Sequence, residues 1–220
     1  MNQENKNREV NNVTQGKIKK GIIYGIRGLF VIAGIKELVK LNGNALVYLA
    51  MGIGLCFIPT LYSRWTKIMI PLNACLAYHL FVFLAQFLGT YLGAYGYFEW
   101  WDVMLHLVSG ILVGYAGLVL IVTLDKNRVL FTKQYAGMLA LIIFTITVTG
   151  AACWEIIEFI GDTFLGMNAQ LGSLQDTMED IICGTIVGAG FSVYVGVRMH
   201  QENSSCVKEL LQMNKKEEKE

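Results

Sequence analysis

Long apolar runs alternate with short polar breaks along the chain, and the runs are near the length of a bilayer crossing. About 20 apolar residues span a hydrocarbon core as a helix. On that measure the pattern predicts six transmembrane helices, at residues 21–39, 44–62, 68–94, 101–124, 135–160 and 177–199. The breaks between them are short, and no internal repeat stands out. The predicted organisation is one all-α transmembrane domain over 21–199. A polar N-terminal tail (1–20) precedes it and a charged C-terminal tail (200–220) follows. The second tail is expected to be a frayed, solvated end, with a short amphipathic helix at "KELLQMNKKEEKE" as the alternative.

Composition agrees with the pattern. Of 220 residues, 54% are hydrophobic and 16% charged, against about 25% charged in soluble domains. The net charge of +1 gives no global attraction to nucleic acid. The first twenty residues carry no apolar h-region, so the first apolar segment is expected to remain as an uncleaved anchor. The five cysteines form no CxxC pair, and Cys56, Cys75, Cys153 and Cys183 lie in apolar runs, so packed, reduced thiols are expected.

The distribution of Lys and Arg sets an orientation. Five lie in the N-terminal tail, two in 63–67, three in 125–134 and five from Arg198 onward. The opposite side holds only Lys36 and Lys40, so both termini are expected in the cytoplasm. Arg27 lies within the first span, where snorkelling toward the cytoplasmic end is the simplest reading. His79, alone in the third span, reads as a hydrogen-bonded packing residue.

Orientation gives the acidic residues their interest. Glu99 and Asp102 open the fourth span, Glu155, Glu158 and Asp162 close the fifth, and Asp176, Glu179 and Asp180 open the sixth. Eight of the chain's 17 acidic residues therefore gather on the outer side. Asp102 and His106 are four apart and share a helix face, as do Asp176 with Asp180 and, three apart, Glu155 with Glu158. Below them come Gly110, Gly114, Gly184 and Gly188, small residues that let helices approach closely. The three helices are expected to pack together with their carboxylates inward.

Two carboxylates about 5 Å apart repel by roughly 3 kcal/mol at an effective dielectric near 20. Shared protons, a basic partner such as Lys36, or a bound cation would relieve that repulsion. His106 among oxygen donors favours a cation, since His with carboxylates suits Zn²⁺, Mn²⁺ or Fe²⁺. Asp102, His106, Glu155 and Asp180 are the candidate metal ligands, and Glu158 or Asp176 the candidate general base. The competing reading is a solvated acidic rim, of which Asp162 and Glu179 are the expected members. Trp100, Trp101 and Trp154 read as interfacial belt anchors. Neither HExxH nor the Glu-x-x-His pair of di-iron bundles is present in these helices.

The segments "WDVMLHLVSG", "WEIIEF" and "LGSLQDTMEDIICGTIVGAG", together covering roughly residues 100–190, resemble the bacterial inner-membrane YjdF family and, more distantly, VanZ-like proteins. The resemblance implies a small helical protein of the bacterial plasma membrane, and on the VanZ side an association with the cell envelope and glycopeptide resistance. Three functions follow as expectations. One is a metal-assisted enzyme acting on a lipid or cell-wall precursor at the outer face. The second is a cation or proton transporter with the cluster as its mouth. The third is a non-catalytic envelope accessory or sensor held together by a structural ion. Membrane lipids are the expected surroundings, and no nucleic-acid partner is expected.

Overall fold

A computed structural model describes residues 3–166, 169–170, 172–202 and 204–215. Among these residues the regular structure is helical throughout: α1 Gln3–Val39, α2 Gly43–Thr66, α3 Leu72–Val82, α4 Ala94–Tyr97, α5 Trp100–Leu124, α6 Ala136–Leu165, α7 Leu174–His200 and α8 Ser205–Lys215. A π-helical run, Phe83–Tyr91, continues α3, and two 3₁₀ turns connect α5 to α6. Five helical segments are long and apolar enough to cross a membrane: Gly43–Thr66, Leu72–Tyr91, Trp100–Leu124, Lys133–Phe164 and Leu174–His200. This is the all-α, multi-pass bundle that the periodicity implies. The first expected span, 21–39, is helical but falls outside these five because Arg27, Lys36 and Glu37 interrupt its apolar run.

Parts of both tails are helical. Residues 3–20, read as a polar tail, belong to the same helix as the first apolar segment. The C-terminal tail forms α8, which buries Val207 and Leu210. Its apolar residues recur at helical spacing and give one face something to cover, as in the amphipathic-helix alternative.

The helices of the expected 21–199 domain divide between two compact units, residues 1–97 and 98–220. In the first unit, α1 and α2 form an antiparallel hairpin. Asn42 locks the turn twice: its side-chain oxygen accepts from Ala45 N (3.4 Å), capping α2, and its amide donates to Glu37 (3.1 Å). Ile26, Phe30 and Ala33 of α1 pack on Leu49 and Cys56 of α2 and Val82 of α3. Gly52 is required there, because a Cβ would enter the Phe30 ring. The π-helical run has i→i+5 hydrogen bonding, as in Leu92 N to Phe87 O (2.9 Å). Phe83, Phe87 and Tyr91, each about one turn from the next, form an aromatic ladder with centroid spacings of 5.3 and 5.4 Å.

Pro59 lies inside α2 and has no N–H for the carbonyl of Leu55 four residues earlier. In hydrocarbon an orphaned carbonyl costs several kcal/mol unless something else satisfies it. Tyr78 supplies the bond, its hydroxyl donating to Leu55 O at 3.0 Å. The next carbonyl, Cys56 O, accepts from Arg27 Nη2 (2.9 Å). Arg27 also donates to Thr60 Oγ1 (3.1 Å) and to His79 Nε2, and lies over the Phe57 ring at 4.8 Å. It is therefore tied into the hairpin, whereas the sequence suggested a free snorkelling side chain.

In the second unit α5, α6 and α7 pack against one another through glycine. A Cβ on Gly110 would lie 2.5 Å from Gly184 O and 3.0 Å from Gly188 N, so α5 and α7 touch backbone to backbone. Gly188 faces Thr147 of α6, Gly150 faces Val113, and Gly196 faces Ala140. Leu105, Leu118, Val122, Leu139, Ile143 and Val195 fill the remaining core. The expected close packing of these three helices is present.

Candidate metal centre

The site forms where α5 begins, α6 nears its end and α7 begins, at one end of the three-helix unit. Asp102 is in the first turn of α5 and Asp176 in the first turn of α7. Carboxylates are favoured there by the unpaired N–H groups and the helix dipole. Ser173 caps α7, its hydroxyl accepting from Asp176 N at 3.2 Å. "SLQD" is therefore an N-terminal signature, with an acid three residues after the cap, and it places the start of α7 before the expected residue 177. Glu155 and Glu158 lie toward the C-terminal half of α6, where the dipole gives no such help.

Three of the four expected ligands converge. His106 Nε2 is 3.4 Å from Asp102 Oδ1 and 3.8 Å from Asp180 Oδ2. One ligand atom from each of these residues lies within 4.8 Å of the others. Ligands about 2.0–2.2 Å from a tetrahedral ion sit about 3.4 Å from one another. The set would close around an ion with small side-chain movements. Asp180 is only 3% exposed, and His106 is buried beside it.

Glu155, the fourth expected ligand, is not within that tight group, but it shares the group's electrostatic environment with His106, Asp102 and Asp176. It is 4% exposed, and its two oxygens differ sharply. Oε2 accepts from Gln170 Nε2 (3.3 Å), while Oε1 is buried with no hydrogen-bond partner among the described residues. A buried carboxylate oxygen without a donor is costly, and such atoms in folded proteins call for an ion, a water or a proton. The donor set and this orphaned oxygen both fit a divalent cation.

The two residues expected as general bases take different positions. Glu158 accepts from Trp154 Nε1 (2.8 Å) and feels the charges of Glu155, Asp102 and His106. Asp176 feels Asp102, His106 and Glu179. Trp154 is thus a hydrogen-bond partner within the acidic cluster, beyond the belt role expected for it. Trp101 Nε1 is buried and unpartnered among the described residues, which also departs from that role. Lys36, considered as a counter-ion, pairs with Glu37 instead (4.0 Å).

The two expected rim residues separate. Glu179 is exposed and, among the described residues, accepts from Gln175 (2.7 Å), as a rim residue should. Asp162 instead holds the connection between α6 and α7. Its oxygens accept from Ala169 N (2.7 Å) and Gln170 N (3.0 Å), and Gln170 in turn reaches Glu155 O (3.1 Å). Gln170 was not among the expected site residues. No helical periodicity connects it to Glu155, because the contact is made across a turn.

A groove of 710 Å³ runs beside the site between α6, α7 and their connection. Glu155, Asp162 and Gln170 line its polar part, and Ile156, Phe159 and Leu174 part of its apolar wall.

Sequence comparisons agree with a membrane protein. An uncharacterised protein of Thermotoga maritima is 32% identical over 127 residues, which cover 57% of this chain and 63% of that protein. The match thus spans less than two thirds of the relative's length. No solved structure matches the chain. The family described as "Predicted membrane protein (DUF2238)" matches residues 20–202, from the α1–α2 hairpin through the acidic site to the end of α7, and the chain belongs to that family.

Proposed function

We propose that the second unit binds a divalent cation through Asp102, His106 and Asp180, with Glu155 completing the set, and uses it on an amphiphilic substrate such as a lipid or cell-wall precursor. The observation that carries this reading is Glu155. Its buried, unpartnered Oε1 belongs to the acidic centre, and the same residue lines the apolar groove. A substrate with its chain in that groove would bring its polar head to the ligands. A bound cation would polarise a phosphoryl or acyl oxygen and lower the pKa of a water. Glu158 and Asp176 are the neighbouring carboxylates suited to accept a proton.

The transporter alternative has less support. Away from the acidic end, α5–α7 close on one another through Gly114 against Phe191, Gly117 against Ile146 and Gly196 against Ala140. Two of the buried hydroxyls there bond their own helices, Thr147 to Ile143 O and Ser192 to Ala189 O, while Thr185 Oγ1 is buried without a partner among the described residues. These hydroxyls do not form a chain with one another among the described residues. The accessory reading shares the ion but leaves the groove without a role.

We place the acidic end outside and both termini in the cytoplasm of a bacterial plasma membrane, and read the family as YjdF-type. In this arrangement α1 is the sixth crossing. It lies along α2 from Glu37 beside Asn42 to Arg27 beside Thr60, so it accompanies a spanning helix through the bilayer. Elemental analysis of the purified full-length protein tests the site. Near-stoichiometric Zn, Mn or Fe in the wild type and loss in His106→Ala are expected. An absence of metal from the wild type, together with no effect of chelator on its thermal midpoint, would indicate a protonated His106 shared between Asp102 and Asp180.

A further inference from the structure

The first unit carries a second polar site, with the opposite charge. A pocket of 220 Å³ opens between α1, α2 and α3, lined among others by Lys20, Tyr24, Arg27, Thr60, Ser63 and His79. Arg27 is half-buried in it, and its recorded partners are all uncharged: Cys56 O, Thr60 Oγ1 and His79 Nε2. Guanidinium is donor-only and permanently charged. His79 Nε2 lies 3.2 Å from Arg27 Nε, 3.0 Å from Nη2 and 3.0 Å from Cys56 O, and its Nδ1 lies 2.6 Å from Cys75 O. An imidazole is neutral or positive in every protonation state, so His79 has no way to neutralise Arg27.

The consequence is an uncompensated cation inside a membrane unit. Charged residues at such depth pair with an opposite charge or mark a ligand path. Arg27 bonds through Nε and Nη2, which leaves the two N–H groups of Nη1 to donate. Thr60 accepts from Arg27, so its own hydroxyl hydrogen is available, as is that of Ser63. Lys20 adds a second positive charge two turns before Arg27 on the same helix. These donors converge from two helices on a concave wall that also presents Ile23 and Leu72.

We propose that this pocket binds a phosphate group, with Arg27 and Lys20 as its counter-charges and Thr60 and Ser63 as hydroxyl donors. Arg suits the task because its planar fork matches phosphate oxygens. Basic pockets between transmembrane helices are a recurrent form of lipid-headgroup recognition. The phosphate could belong to an anionic lipid or be free in solution, and the apolar residues beside the cations are compatible with the first.

Thermal midpoints of the full-length protein in a neutral detergent test the proposal. Short-chain phosphatidylglycerol, matched phosphatidylcholine and inorganic phosphate are added separately. Stabilisation by phosphatidylglycerol alone identifies a lipid headgroup, and stabilisation by inorganic phosphate as well identifies the phosphate group itself as sufficient. Either response should weaken as ionic strength rises. Lys20 is exposed, so Lys20→Ala should fold normally and weaken the apparent affinity about fivefold. Arg27→Gln should abolish the response, and Ser63→Ala should reduce it without altering the unliganded midpoint. No stabilisation by phosphatidylglycerol or phosphate, or equal stabilisation of wild type and Lys20→Ala, would overturn the proposal.

Discussion

The two units handle charge within membrane helices in opposite ways. In the first, Glu37 is enclosed by donors of its own neighbourhood, while Arg27 has polar partners but no counter-charge. Glu37, 3% exposed, accepts from Tyr91 (3.0 Å), Asn42 (3.1 Å) and Lys40 (3.3 Å) at the end of the hairpin. Arg27 is held by carbonyl, hydroxyl and imidazole. In the second, carboxylates from three helices face one imidazole, and a buried oxygen of Glu155 has no donor. Satisfied charges act as fasteners. Charges gathered with one sign and left short of donors need something from outside. The difference also extends to the packing that supports each site, which rests on aromatic side chains in the first unit and on glycine in the second.

That contrast in packing gives the largest expected effect. Gly110→Val should prevent α5 from docking on α7, because the obstacles are backbone atoms of Gly184 and Gly188 that cannot turn aside. Overpacking costs about 1–3 kcal/mol where side chains can adjust, and more where they cannot. The variant should lose its cooperative thermal transition or fail to elute as a monodisperse species. Gly28→Ala in α1 should be neutral or slightly stabilising, since nothing lies within 4 Å of its added Cβ. A benign Gly110→Val would mean that α5 and α7 do not touch as described.

Next in size come the ligands. His106→Ala, Asp180→Asn and the double variant His106→Ala with Glu155→Gln should each abolish the response of the thermal midpoint to chelator and added divalent ion. Ligands of one ion depend on one another, so the double variant should lose little more than either single one. Additive, small losses would indicate carboxylates that interact only weakly through water.

How much of this was legible in the sequence follows the same division. Asp102 with His106 and Gly110 with Gly184 could be read because helical spacing places residues on a face and apolar length places helices in a bilayer. Those rules reach only along a single helix or between helices whose ends share a side. Glu37 was overlooked because its partners, Tyr91 and Asn42, lie on other elements. Arg27 looks like a snorkelling residue in the sequence because nothing local reveals that Cys56 O and His79 lie within its reach. Asp162 was assigned to the rim by its position, although a carboxylate followed by a short turn is also placed to accept that turn's N–H groups.

Pro59 supplies a third test. Tyr78→Phe removes a hydroxyl donor to Leu55 O and should cost about 1–3 kcal/mol, the usual penalty for an unsatisfied buried acceptor. Pro59→Ala restores an N–H four residues after Leu55 and lets the helix satisfy its own carbonyl. The double variant Tyr78→Phe with Pro59→Ala should therefore be more stable than Tyr78→Phe alone. If Pro59→Ala instead adds to the loss, Tyr78 is contributing packing rather than replacing the missing N–H.

The smallest effect separates the two acidic residues once grouped together as a rim. Asp162 accepts two backbone N–H bonds with two oxygens, and an asparagine can accept with only one. Asp162→Asn should cost about 1 kcal/mol and speed hydrogen exchange at the Ala169 and Gln170 amides. Because Gln170 also bonds Glu155, the same variant should weaken the chelator response without abolishing it. Glu179 is exposed and paired only with Gln175 one turn away, so Glu179→Gln should stay within about 0.5 kcal/mol of wild type and leave both exchange and chelator response unchanged. Equal behaviour of the two variants would return Asp162 to the solvated edge and detach the α6–α7 connection from the site.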